Sequence, residues 1–408
     1  MRPLAPLILF CLIAASCQAG PIAPSLSPTD ADILIASDLP TSGSDLQAIL
    51  PLQQAIQLAI DQHPTVGGFR LRYQPFDDAL AGVPSQQKGA ENVTRMVADP
   101  RVLGMVGPYN SVVASNEIPV ANAGALAMVS PSNTYPCLTQ ASPACPFQPD
   151  TIRPTGHNNY FRTAAPEPVQ GRAMARFLVD NYNVKRAAAF TLHADFADPI
   201  IDGFAAELQR LGGELVLRQV LPQTTDFAGF LAAAKSRGAE AIYTADGLGS
   251  ECEARAQMKG IFPNGAYFLG IDGLVFPECV KFAEDNAGGM LGTVSDVDLS
   301  DSTDPAVKTF LAGYHKAHPK TTIAPYTFAA YDCALILIEA IKQAIDANGG
   351  RVPSRTQVVD TIAHSTFKGL TNVYSFDTNG DAISPLMSVY QVKTGRWVYL
   401  RQVDASVR

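Results

Sequence analysis

Val102-Leu-Gly-Met-Val106 runs directly into Gly107-Pro-Tyr-Asn-Ser111, and Ala127-Met-Val129 runs into Ser130-Pro-Ser-Asn-Thr134. A short run that is apolar at every position, without the alternation of a half-exposed strand, is the pattern of a parallel strand buried on both faces. Ligands of open α/β sheets sit beyond the carboxyl ends of such strands, which is where both polar loops fall. The first loop leads into a helical pattern over 112–123. The leading turn of a helix carries backbone N–H groups with no partner inside it. The two loops therefore read as a crevice for an anion, and a carboxylate suits it.

The same punctuation recurs outward from this pair. Ile33-Leu-Ile-Ala36 reads as a strand, and Ile49, Leu52, Ile56 and Ile60 mark one face of a helix with Pro51 near its start. Phe69-Arg-Leu-Arg-Tyr73 alternates as an edge strand does and ends in Asp77-Asp78, ahead of a helix over about 86–98. A second series opens at Tyr160-Phe-Arg-Thr163 and continues with a helix over 169–181, a strand over 187–192 and a helix over 199–211. A strand over 215–220, a helix over 227–236 and strands over 241–245 and 267–270 complete it. Strands alternating with helices predict an α/β fold with mostly parallel sheets flanked by helices. No Pro/Gly/Ser-rich linker separates the series, so several close crossings are expected in place of one tether. Helices over 305–315 and 326–347 and a hairpin of 387–392 with 396–400 complete the two units without making a third.

With 408 residues, 47% of them apolar, the chain can bury a substantial core. A net charge of −8 and the absence of any Lys/Arg cluster leave a nucleic-acid partner without support. Gly-x-Ser-x-Gly, His-Glu-x-x-His, strand-borne Gly-x-Gly-x-x-Gly and Gly-Lys-Ser/Thr are all missing, so neither enzymatic chemistry nor a cofactor is expected. Asp377-Thr-Asn-Gly-Asp381 has its Gly too early for a calcium loop and reads as a turn. His315 and His318 read as surface, so no metal site is expected.

Arg2 precedes Leu7-Ile-Leu-Phe-Cys-Leu-Ile13, and the small residues Ala14-Ala-Ser-Cys-Gln-Ala19 follow. This is the pattern of a signal peptide, and its apolar part is shorter than the roughly 20 residues of a membrane span. Ala14-Ala-Ser-Cys17 is similar to a bacterial lipoprotein box, with Ala14 where that pattern prefers Leu. Two outcomes stay open: lipidation of Cys17 after loss of residues 1–16, with 20–29 as a tether, or cleavage after Ala19 with Cys17 discarded. Either exports the protein, as a periplasmic chain or one anchored at the outer face of the cell membrane.

Seven cysteines occur, and Cys11 and Cys17 lie in the leader. In an oxidising compartment the others are read as disulfide candidates. Cys137 and Cys145 bracket a Pro-rich loop that needs a staple. Cys252 and Cys279 each follow a predicted strand-to-helix loop, and both pairs are expected to be oxidised. Cys333, inside the apolar run Ala329 to Ile338, is expected to be a buried, inert thiol.

Val106-Gly-Pro-Tyr-Asn-Ser, Ser130-Pro-Ser-Asn-Thr, Tyr160-Phe-Arg-Thr-Ala, Thr225-Asp-Phe, Gly270-Ile-Asp-Gly, Ala330-Tyr-Asp and Ser375-Phe-Asp-Thr-Asn-Gly-Asp stand in the order of one known family. Over about residues 30–400 the chain resembles the leucine/isoleucine/valine-binding proteins, the type I periplasmic solute-binding proteins of ABC importers. The resemblance implies a two-lobed clamshell with three crossings, near Thr163, Val297 and Ala382. Residues 30–163 with 298–382 would form lobe 1, and 164–297 with 383–408 lobe 2. It implies a monomer that captures a small amino-acid-like solute and delivers it to an ABC permease. Importer and sensor are not separated by sequence.

Carried over residue by residue, the resemblance places the ligand carboxylate at Ser111 and at Ser132, Asn133 and Thr134, and its ammonium at Asp272. Phe196-Ala197 stands where the family often has a Tyr, keeping the ring as a gate and losing the hydroxyl, and Asp246-Gly247 stands at a second aromatic position. A carboxylate in place of a ring leans away from a branched aliphatic ligand, toward a basic amino acid, an amide or a urea-like solute. Each position also has a structural reading. Ser111, Asn133 and Thr134 can cap or shape turns, as can Asp272 and Asp246. Tyr109 faces the ligand or packs beneath it, and Tyr326 and Phe328 read as core.

Overall fold

A computed structural model describes residues 32–43, 46–143, 145–192, 194–222, 226–246 and 250–406. Cys17 and the rest of the leader lie outside the described residues, as does Thr225, and the side chain of Phe196 is likewise not described.

The chain opens with strand β1 (Asp32–Leu39), helix α1 (Leu46–Gln62), the short β2 (Thr65–Val66) and β3 (Phe69–Asp77). A small ribbon of β4 (Ala79–Leu80) and β5 (Val83–Pro84) precedes α2 (Gln86–Ala98), β6 (Val102–Val106), α3 (Ser111–Ala123), β7 (Ala127–Ser130) and β8 (Tyr160–Arg162). The first sheet has the order β2-β3-β1-β6-β7-β8, with β3, β1, β6, β7 and β8 mutually parallel. Alternate side chains of its central strands enter opposite cores, which is why those strands read as unbroken apolar runs. Ile33, Ile35, Val106 and Val129 pack on the α1 side. Leu34, Ala36, Met105 and Met128 pack on the other, against Val93, Met96, Ala114 and Ile118 of α2 and α3.

The second unit runs α4 (Glu167–Tyr182), β9 (Arg186–Thr191), α5 (Ala194–Arg210), β10 (Glu214–Val220), α6 (Ala228–Ser236), β11 (Ala241–Thr244), α7 (Glu253–Ile261), β12 (Tyr267–Gly270), α8 (Pro277–Phe282) and β13 (Leu291–Val294). Then α9 (Pro305–Ala317), α10 (Thr327–Ala347) and α11 (Arg355–His364) return to the first unit, where Phe310, Leu337, Ile341 and Val358 join its core. A ribbon of β14 (Phe367–Lys368) and β15 (Val373–Tyr374) follows. The hairpin of β16 (Leu386–Lys393) and β17 (Arg396–Asp404) closes the second sheet, whose order is β10-β9-β11-β12-β13-β16-β17.

Three details differ from the sequence reading. Tyr160–Arg162 does not open the second unit: it pairs with β7 as the last strand of the first sheet. β3 is not the outermost strand, because β2 covers its first two residues. Helix α5 begins at Ala194, before Pro199, so Phe196 sits in its first turn.

Both expected disulfides are formed, Cys137–Cys145 with Cα atoms 5.6 Å apart and Cys252–Cys279 at 5.3 Å, and Cys333 is a buried free thiol. No helix among the described residues is long and apolar enough to cross a membrane.

Gly107 ends the first decisive strand at φ +122°, and a Cβ there would lie 2.4 Å from the backbone oxygen of Asp38. Such a conformation costs an L side chain about 1–3 kcal/mol, and the clash is with backbone that cannot swing aside. Gly107→Ala is therefore expected to lower stability by roughly 3 kcal/mol in urea melts. An unchanged midpoint would refute this account of the turn.

Candidate functional site

The two polar loops are bound to one another before they can bind anything else. Ser130 Oγ donates to Pro108 O at 2.9 Å and accepts the amides of Ser132 and Asn133 at 3.3 and 3.1 Å. Ser132 Oγ and Asn133 Nδ2 both donate to Tyr109 O, at 2.9 and 2.8 Å. Tyr160 OH donates to Asn133 Oδ1 at 2.9 Å. Two expected ligand contacts, Ser132 and Asn133, thus place their side chains in the scaffold. Asn133 is 0% exposed.

Ser111 and Thr134 remain at the surface of the crevice. Ser111 is the first residue of α3, whose N-cap Asn110 makes no side-chain cap bond. Its hydroxyl accepts the Tyr135 amide at 3.3 Å, leaving its own proton for another acceptor. Thr134 Oγ1 donates to Glu167 Oε1 at 3.1 Å, and Glu167 N donates back to Thr134 O at 2.9 Å. Beside them a groove of about 610 Å³ is lined by Ser111, Val112, Tyr135, Pro146, Phe147 and Glu167 among others, so the stapled loop supplies part of its wall. Tyr135 and Phe147 meet edge to face at 6.2 Å.

Arg162 holds this assembly from below. It is 0% exposed and pairs with Asp381 at 2.6 Å. Its remaining N–H groups reach Asn133 O at 3.2 Å, Tyr135 O at 2.8 Å and the Thr139 hydroxyl. Asp381 also accepts from Thr139 and Gln140, at 3.1 and 2.9 Å, and Arg162 holds its carboxyl below the usual Asp range against the opposing effect of burial. The Asp377 to Asp381 segment is the expected turn, and its last residue is a structural ion-pair partner.

Asp272 follows β12 on the second sheet. Gln170 Nε2 and Gly273 N donate to its Oδ1 at 3.1 and 3.0 Å, and its amide donates to Gln170 Oε1 at 3.2 Å. Burial pushes its carboxyl up, opposed by those hydrogen bonds. Glu167 stands one turn before Gln170 on α4 and feels the Asp272 charge. Tyr326, in the left-handed region at φ +66°, packs edge-on against Tyr109 at 6.0 Å. Burial raises its phenol, and the charges of Asp272 and Glu167 bear on it. Ser111, Thr134, Tyr109, Glu167, Asp272 and Tyr326 are thus drawn toward one region, at the carboxyl ends of strands from both sheets.

Asp246 is turned to another task. It is 1% exposed, and Thr191 Oγ1, Leu192 N and Thr244 Oγ1 donate to its two oxygens at 2.8, 2.8 and 3.3 Å. The carboxylate ties together the ends of β9 and β11, and Gly247 lies outside the described residues. Glu167 was not foreseen: a lone acid after Pro166 carries no motif. Tyr326, read as core, is buried but lies where the site converges.

Burial pushes Glu167 up to about 8 from its ordinary 4.5, with the Asp272 charge adding to the rise and Thr134 and Arg162 opposing it. Between those values the folded chain holds a proton that the unfolded chain has lost, so stability falls as pH rises through that window. Relative to Glu167→Gln, the wild type should lose up to about 1.4 kcal/mol per pH unit between pH 5 and 8, read from urea midpoints. Parallel curves for the two proteins would show that Glu167 titrates normally.

Residues 34–396 match the family model described as periplasmic binding protein. The Leu/Ile/Val-binding protein BraC3 of Rhizobium johnstonii is 26% identical over 373 residues, spanning 90% of this chain and 94% of that protein. A leucine-binding protein from Thermotoga maritima superposes with a TM-score of 0.66 at 24% identity, over 91% of this chain and 99% of its own. A solute-binding protein from R. palustris in complex with benzoate superposes with a TM-score of 0.62 at 19% identity, over 92% and 97%.

Proposed function

The chain belongs to the periplasmic binding protein family, and from that membership we propose that it captures a small amino-acid-like solute in the cleft between its two sheets. The carboxylate of the solute lies at the N-terminus of α3, with Ser111 and Thr134 as donors, and its ammonium lies between Glu167 and Asp272. The observation that carries this reading is a pair of carboxyls close enough for the charge of one to act on the other, Glu167 and Asp272, with Glu167 lining the same groove as Ser111 at the N-terminus of α3. Such a site is bipolar, as a zwitterion is. An ammonium entering it restores ionised Glu167 to favour, so binding releases a proton below about pH 8. The lobes, 30–163 with 298–382 and 164–297 with 383–408, close about crossings near Thr163, Val297 and Ala382. The protein works as an exported monomer that hands its solute to an ABC permease.

BraC3 is a Leu/Ile/Val-binding protein, which supports the amino-acid class. Glu167 and Asp272 can accept from any N–H donor, so amides and basic amino acids belong in the same panel as branched aliphatic ones. A second reading, an aromatic carboxylate, has one observation in its favour: Val112, Tyr135, Pro146 and Phe147 line the groove beside Ser111. A thermal-shift panel of amino acids, amides and benzoate decides between them, since a ligand at 100 times its Kd adds about 2.7 kcal/mol. Shifts confined to zwitterions support the bipolar site. A shift with benzoate and with no zwitterion overturns it.

A further inference from the structure

Behind the ligand loops, three carboxyl groups meet in the interior. Asp38 lies near the end of β1, Asp78 follows β3, and Glu117 projects from the middle of α3. All three residues are 0% exposed, and oxygens from all three lie within 4.8 Å of one another. Asn92 Nδ2 donates to Asp38 Oδ1 at 2.9 Å. Asp38 Oδ2 and both oxygens of Glu117 find no amide, hydroxyl or cationic donor among the described residues, and these oxygens have only the other acid's carboxyl to bond with. Glu117 is thus a fully buried side chain from a separate helix, aimed at the pair on the strand ends with no amide, hydroxyl or cation to satisfy it. Gly89 of α2 leaves it room: a Cβ there would stand 2.5 Å from Glu117 Oε1.

Interiors exclude such a group unless a charge or a proton compensates it. Oxygens that share one Ca²⁺ at about 2.3–2.6 Å lie no more than roughly 4.6–5.2 Å apart, which is the spacing found here. A donor set of carboxylates without His or Cys selects hard cations. The geometry points to a structural site for one hard divalent cation held by Asp38, Asp78 and Glu117, bracing α3 against the ends of β1 and β3.

The test uses the full chain, stripped with EDTA and dialysed into Ca²⁺, Mg²⁺ or Mn²⁺ at 1 mM. At least one of these ions is expected to raise Tm by about 5 °C or more in the wild type and to leave Glu117→Gln and Asp78→Asn unshifted. Elemental analysis after gel filtration is expected to show about one such ion per wild-type chain, a readout that does not require either variant to fold. No bound ion and no shift in the wild type overturn the site, as does an equal shift in the wild type and both variants. Stabilisation of the stripped wild type by mild acid, with indifference to all three ions, would show that shared protons fill the role.

Discussion

Asp272→Asn is expected to raise the Kd for a zwitterionic solute about 100-fold, because a half-buried charge partner is lost while the shape is kept. The substitution preserves an acceptor for Gln170 and Gly273, so the loop that follows β12 should stand as before. Calorimetric titration with the best solute of the panel measures it, with the exposed Asp301→Asn as control. The split between ligand classes is the sharper readout. A zwitterion should lose affinity severely, and an uncharged amide should lose little. Equal affinities in the wild type and Asp272→Asn would remove this residue from the site.

Arg162→Met should cost about 3–5 kcal/mol, the penalty of leaving Asp381 buried without its partner. The loss should extend to binding, because the same guanidinium holds the carbonyls of Asn133 and Tyr135, on either side of Thr134. Pairing it with Asp381→Leu supplies the control. If the ion pair carries the effect, the double variant recovers part of the stability that Arg162→Met loses. A loss below about 1 kcal/mol in Arg162→Met would show that the pair is dispensable.

The readings that succeeded rest on local signals. Buried parallel strands announced themselves as apolar runs, and β6, β7, β9, β11 and β12 lie where those runs lie. Pro-rich sequence between Cys137 and Cys145 called for a staple, and the two are joined. The carboxyl ends of β6 and β7 were placed correctly because a strand boundary is a local event. The role of each polar side chain at those ends was less legible. Ser132 and Asn133 share a tetrapeptide with Thr134, yet they face the backbone of Tyr109 and not the crevice. Asp246 follows a strand as Asp272 does, yet three donors from two strands surround it. Strand periodicity alone reads Tyr160–Arg162 as opening the second series, because its partner strand lies some 30 residues back, across the stapled loop.

By itself the sequence determined the α/β class, the tandem arrangement of strands and helices, the disulfide pairs and the position of the two polar loops. Each follows from periodicity, turn chemistry or the spacing of like residues, which act over a few positions of chain. The tertiary structure alone decided which acids meet which partners. Arg162 finds Asp381 across 219 positions, Gln170 brings Asp272 beside Glu167 across 102, and Asp38 joins Asp78 and Glu117 in one cluster. The charge state and task of a carboxyl depend on burial and on neighbours within a few ångströms, and those neighbours come from parts of the chain that only folding brings together.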